Sequence, residues 1–169
     1  MITLRNMVVA FIKNDDSWLL MKRADNRSFH PNLISGIGGH IEQNEINNPA
    51  EAIYREIEEE TGIEKCSIDS LNLLYILLRR KGDEIYQSYI YFGNTNKSEL
   101  IGTDEGELEW VKTKELLQKE FSVTYSVMLK HYLNRNKKNE KTLYIGVATE
   151  KEHEHSMKIV FIKGLDFES

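Results

Sequence analysis

Residues 36–63, GIGGHIEQNEINNPAEAIYREIEEETGI, constrain this chain more than any other stretch. Asn48-Pro49-Ala50-Glu51 reads as a helix start: Asn48 suits the cap, Pro49 the first turn, and Glu51 the acid of a capping box. Gly62 is a natural stop, so the spacing predicts a helix over 49–61. At about 100° per residue, with Glu56 at zero, Glu59 falls near −60° and Glu60 near +40°. Those three carboxylates share one side. Ala50, Ile53 and Ile57 form an adjacent apolar stripe, while Glu51, Arg55 and Glu58 point to the remaining side. The helix must therefore lay one stripe on a core, and Glu60, next to that stripe, is expected to be the more buried acid.

Like charges three and four residues apart repel, and partial burial raises the cost. Hard oxygen ligands facing one point lose that penalty by binding Mg²⁺ or Mn²⁺. The Gly-Ile-Gly-Gly turn just before the helix supplies backbone that can approach a metal or phosphate closely. On the helix alone, a solvated acidic face is the competing reading.

Charge follows the same segment. The chain has 169 residues, 22 Lys+Arg and 27 Asp+Glu, a net charge of −5. Residues 51–64 hold six glutamates and one arginine and so carry −5 alone; the rest nets zero. An acidic balance argues against a nucleic acid polymer or an anionic membrane as partner, since both want a basic face. Cys66 is the single cysteine, which excludes an internal disulfide and fits a reducing compartment. It is expected to be a small buried residue. The longest apolar run, residues 73–78, is far below the ~18 needed to span a membrane. The N-terminus lacks a signal-peptide layout, so the expectation is a soluble cytoplasmic protein.

Elsewhere the pattern is mostly β. Residues 7–12 and 18–21 read as a hairpin about Asn14-Asp15-Asp16, residues 23–35 as a long loop, and 71–78 and 85–92 as two strands about Lys81-Gly82-Asp83. A short strand is expected at 108–111, a short helix at 113–118, and a helix at 121–133 with Ser122 as N-cap. Residues 134–141 read as a basic connector to a final strand pair, 143–147 and 157–162. The sum is α+β.

The segment 36–63 resembles the Nudix box: Gly, five residues, Glu, seven residues, then Arg-Glu-aliphatic-any-Glu-Glu-any-Gly-aliphatic. Gly39 and Glu45 match the first half, and the residues from Arg55 to Ile63 match every position of the second. The departure is that nine residues, not seven, separate Glu45 from Arg55. The extra two fall in 46–48, ahead of the helix, and put the placement of Glu45 in question. The run Gly106-Glu107-Leu108-Glu109-Trp110-Val111 and the early hairpin add weaker likeness. The resemblance implies a single Nudix domain over 1–169, built as an α/β/α sandwich around a mixed sheet.

It also implies hydrolysis of a nucleoside diphosphate derivative. By motif position Glu59 and Glu60 would be metal ligands, with the Gly38 carbonyl as another. Glu56 would be a ligand or the general base, Arg55 would orient the acids, and Glu45 would stand behind them. A further acid would come from Asp104, Glu105 or Glu107, with Glu105 favoured. The surroundings look like the MutT-like, 8-oxo-dGTP diphosphatase branch, implying a nucleoside triphosphate with Mg²⁺; other nucleotide derivatives and a non-catalytic binding domain are the alternatives. Divalent cations on the acidic stripe would turn it into a receptor for pyrophosphate. Gly39, Arg23, Arg27, Phe29 and Asn32 are candidates for substrate contact. Tyr75 and Tyr89 could stack on a base, with core packing as the competing reading. Dimers are common in the family, which leaves a homodimer open. His153-Glu154-His155 alternates ligand types but reads as a charged hairpin tip, and Trp110 as packing.

Overall fold

A computed structural model describes residues 1–23, 33–102, 106–135, 142–151 and 154–163, with backbone alone for residues 23, 149–151 and 154–163. β1 (Thr3–Asn14) and β2 (Ser17–Arg23) form a hairpin whose turn holds Asp15 at φ 51, a conformation Asp tolerates. The two strands pair only over Ile12–Leu19, Lys13–Trp18 and Asn14–Ser17, then part. The chain that follows fills the fork. β3 (Ile34–Ser35) pairs with Met21 and Lys22 of β2, while Ile37 and His40 bridge to Ala10 and Met7 of β1. A Cβ at residue 36 would lie 2.3 Å from the Ala10 carbonyl oxygen, so only glycine fits this wedge.

β4 (Ile68–Lys81) and β5 (Glu84–Thr95) form a long antiparallel pair, and β5 runs parallel to β1. β6 (Gly106–Lys112) closes the other side of β2. β7 (Tyr144–Lys151) runs parallel to β4 and pairs with β8 (Glu154–Lys163). The described residues thus form one mixed sheet of order β3-β2-β1-β5-β4-β7-β8, with β6 on β2.

Alternation along β1 builds two cores. Val8, Ala10 and Ile12 face α1 (Pro49–Thr61), meeting Ala52, Ile53 and Ile57. Val9 and Phe11 face the opposite side, meeting Met128 and Leu129 of α3 (Val123–Asn134), which follows the short α2 (Thr113–Leu116). Each fully buried Ile or Phe contributes roughly 1.5–3 kcal/mol. The α3 side is the aromatic one: Phe92 stacks on Tyr132 at 3.7 Å, and Phe11 on Phe92 at 5.4 Å. This is the α/β/α sandwich that the sequence implied.

Several details differ from the sequence reading. The stretch read as loop ends in β3, because backbone pairing inside the fork does not depend on side-chain pattern. Asn48 makes no side-chain cap bond; a capping box forms earlier instead, in the turn Gln43–Glu45, where the Glu42 N–H donates to Glu45 at 3.1 Å. Ser122 does cap α3, accepting from the Tyr125 N–H. Cys66 is exposed, not buried, because a short turn, Lys65–Ser67, intervenes before β4. Among the described residues no helix is long and apolar enough to cross a membrane.

Candidate functional site

The wedge brings the glycine turn to the acids of α1. Ile37 and Gly39 spend their carbonyls on β1, accepting from Ala10 and Val8. The Gly38 carbonyl is left off that ladder among the described residues, and the Gly38 N–H turns the other way and donates to Glu60 at 3.0 Å. Gly38 holds φ 147, and a Cβ there would sit 2.1 Å from the Val8 oxygen. A Cβ on Gly39 would lie 2.7 Å from both carboxylate oxygens of Glu56. Gly38 is therefore demanded by its φ and by close backbone approach, whereas a side chain at residue 39 would have to push the end of Glu56 aside. Glu60 is 4% exposed, which agrees with its place beside the apolar stripe.

Arg55 gathers the acids. Its Nε and Nη2 donate to the two oxygens of Glu45, each at 2.9 Å, a bidentate pair. Nη1 donates to Glu56 at 3.0 Å and to Glu59 at 2.9 Å, and Nη2 to the His40 carbonyl at 3.3 Å. Hydrogen bonding to Glu45 leads in pushing the guanidinium above its ordinary range, against the opposing effect of burial. The same bond holds the Glu45 carboxyl below the usual glutamate range. The helical wheel left Arg55 outside the acid stripe but one turn before Glu59, and its long stem carries the guanidinium across to Glu56 and Glu45. The two inserted residues do not displace Glu45, because they lie in the turn between its short helix and the Asn48 cap.

Among the described residues, no three acid, His or Cys side chains already converge as a metal-holding group. Glu45, Glu56 and Glu59 are turned onto Arg55 instead, and Glu60 accepts from the Gly38 N–H. The donor chemistry nonetheless fits a hard divalent cation. Glu56, Glu59 and Glu60 carry oxygens alone, the Gly38 carbonyl is off the ladder beside them, and the side chain of Glu59, bonded to Arg55, is 60% exposed.

Arg27, Phe29, Asn32, Asp104, Glu105 and His153 lie outside the described residues, as do residues 136–141 of the expected connector. Arg23 ends β2 opposite Gly106. Glu107 is exposed on β6 opposite Lys22. Tyr75 is no stacking platform: it is fully buried between Phe92, Tyr144 and His131. Tyr89 packs on the α1 side and its hydroxyl accepts from Gln87. Trp110 also packs there, with Nε1 donating to the Ser98 carbonyl. The sequence reading missed a cavity next to the acids, lined by Arg79, Ser88, Thr124 and Tyr125. The inward alternation of Tyr75, Leu77 and Arg79 along β4 was the only trace of it.

Residues 3–132 match the NUDIX domain family. The nucleoside triphosphatase NudI of Salmonella typhimurium is 33% identical over 121 residues, covering 66% of this chain and 84% of that protein. The crystal structure of the MutT protein from Bacillus halodurans superposes with a TM-score of 0.72 at 19% identity, covering 93% of this chain and 97% of that one. The MutT protein of Methanosarcina mazei gives a TM-score of 0.70 at 20% identity, covering 80% and 97%.

Proposed function

This chain belongs to the NUDIX domain family and is a Nudix pyrophosphohydrolase, and from that premise we propose that it hydrolyses a nucleoside triphosphate to a nucleoside monophosphate and pyrophosphate with Mg²⁺. The observation that carries the reading is the gathering of Glu56, Glu59 and Glu60 beside the Gly38–Gly39 turn. Its relative NudI is described as a nucleoside triphosphatase, which supports the substrate class.

Glu59, Glu60 and the Gly38 carbonyl would hold the cation. When bound, Mg²⁺ neutralises the pyrophosphate oxygens and lowers the pKa of water. Glu56 accepts the proton of the attacking water, which adds to phosphorus as one bridging P–O bond breaks. Arg55 holds Glu56 in place, and Glu45 holds Arg55. Glu60 fixes the glycine turn through the Gly38 N–H.

A panel of nucleoside triphosphates (8-oxo-dGTP among them), nucleotide sugars and dinucleotides, assayed with and without Mg²⁺, tests the reading. Turnover is expected on triphosphates and is lost with chelator. Glu60→Gln keeps an acceptor for the Gly38 N–H, so the fold survives while kcat drops by about 10²–10⁴. Turnover of Glu60→Gln within threefold of the parent rejects the metal assignment. A preference for nucleotide sugars or dinucleotides rejects the substrate class.

A further inference from the structure

The cavity beside the acids shares Met7, Ser35 and Tyr125 with the acid-lined site, so the two are continuous. β1, β4, β5 and the first turn of α3 supply its walls. Among the described residues its lining holds two cations, Arg79 and the exposed Lys81, and no carboxylate. Hydroxyls of Ser88, Ser122, Thr124 and Tyr86 stand between them, and a hydroxyl donates or accepts as its neighbour requires. A neutral ligand satisfies the hydroxyls but leaves the half-buried Arg79 charge uncompensated.

Two groups in this wall lack the partners that buried polar atoms ordinarily have. Among the described residues Arg79 forms no ion pair and no side-chain hydrogen bond, and its Nε is buried without an acceptor. Thr124 is 7% exposed, and its Oγ1 is likewise buried without a partner. Arg5 and Arg55, by contrast, are bonded to Glu84 and Glu45. Glu84 also accepts from Tyr86, so the acid two residues before Tyr86 on β5 is already engaged. Thr124 lies in the first turn of α3, a 12-residue helix, where the amides and the helix dipole favour negative charge. An unpaired guanidinium, a buried unpaired hydroxyl and a helix start thus border one space. All three suit an oxyanion with several acceptor oxygens.

The pyrophosphate to be cleaved belongs at the acids, so this oxyanion is a different one. On a nucleoside triphosphate the ribose hydroxyls can carry a phosphate apart from the 5′ chain. Building on the reading of the acids as the pyrophosphate site, we infer that this cavity binds a second phosphate, borne on the ribose of the substrate, and that Arg79 and Thr124 hold it. The substrate class is then a nucleotide phosphorylated on the ribose as well as at its 5′ end.

Calorimetry in Mg²⁺ compares adenosine 5′-monophosphate with adenosine 2′,5′-bisphosphate and adenosine 3′,5′-bisphosphate, none of which has an anhydride bond to cleave. At least one bisphosphate is expected to bind about tenfold or more tightly than the monophosphate. Arg79→Met abolishes that gain and Arg79→Lys restores part of it. Thr124→Val, which keeps the branched shape, cuts the gain about threefold. Arg80→Met removes a charge from the same strand outside this cavity and keeps the parent gain. Equal binding of all three nucleotides overturns the inference, as does a gain that survives Arg79→Met. A gain that Arg80→Met removes equally reports general attraction to a basic strand and overturns it too. A gain that needs Arg79, in a protein that hydrolyses no triphosphate, upholds the cavity assignment and rejects the triphosphatase reading alone. Triphosphate turnover with equal binding of the three nucleotides rejects the cavity assignment alone.

Discussion

Two arginines of this molecule have opposite surroundings. Arg55, on α1, makes five hydrogen bonds to three carboxylates and a carbonyl. Arg79, on β4, makes none among the described residues and leaves its Nε buried without an acceptor. The difference separates two uses of positive charge. Arg55 is committed within the protein and fixes the position of acids that would otherwise repel. Arg79 stands in the wall of a cavity with no such partner among the described residues. Stability should therefore depend on the first far more than on the second.

Replacing each with Met breaks or sharpens that contrast. Arg55→Met takes the guanidinium from Glu45 and Glu56, whose side chains are only 13% and 12% exposed. Loss of one partner of a buried pair costs 3–5 kcal/mol; at this exposure about 2–4 kcal/mol is expected, a fall in Tm of roughly 5–12 °C. Arg79→Met loses no partner and should stay within about 0.5 kcal/mol of the parent. Thermal unfolding of the two variants side by side decides it. Equal losses would mean that Arg79 is a structural residue.

Glu45→Gln probes the same network through pH. The Arg55 bond lowers the folded-state pKa of Glu45 below its unfolded value of about 4.3. A depressed carboxylate adds stability that is complete above the unfolded value and is lost as pH falls through the folded one. The variant should be less stable than the parent by about 1 kcal/mol at pH 7, and the gap should close below roughly pH 4. Denaturant titrations at the two pH values measure it. A gap of the same size at both would place the contribution of Glu45 in packing, not charge.

How much of this was legible depended on the kind of information each part needs. α1 was readable to its ends because proline, periodicity and Gly62 are local signals. The acids were readable because helical spacing alone puts Glu56, Glu59 and Glu60 together. The grip of Arg55 on Glu45 was not, since it depends on how the turn after Gln43–Glu45 absorbs two extra residues. β3 was missed because its pairing is made by the backbone in the fork between β1 and β2. The cavity was missed because its walls come from strands and a helix distant in sequence; Met7 and Thr124 meet only in the folded chain. Tyr75 could not be settled between core and stacking from the sequence for a related reason: its cover comes from α3 and β7.

That cover supplies the mildest test of the contrast. If Arg79→Met proves neutral, one explanation is that polar groups on the α3 side matter little in general. Tyr75 answers this, since it lies two residues from Leu77 and four from Arg79 on the same strand. Its hydroxyl is 2.8 Å from His131 Nδ1 on α3, and burial pushes its pKa well above the usual tyrosine range. Tyr75→Phe keeps the ring against Phe92 and Tyr144 and removes that bond. A net loss of about 1 kcal/mol is expected, or roughly 2–4 °C in Tm. Such a loss, next to a neutral Arg79→Met, means that partnered polar groups on this face do support the fold and that Arg79 is silent because it has no partner to lose. A neutral Tyr75→Phe would remove that distinction.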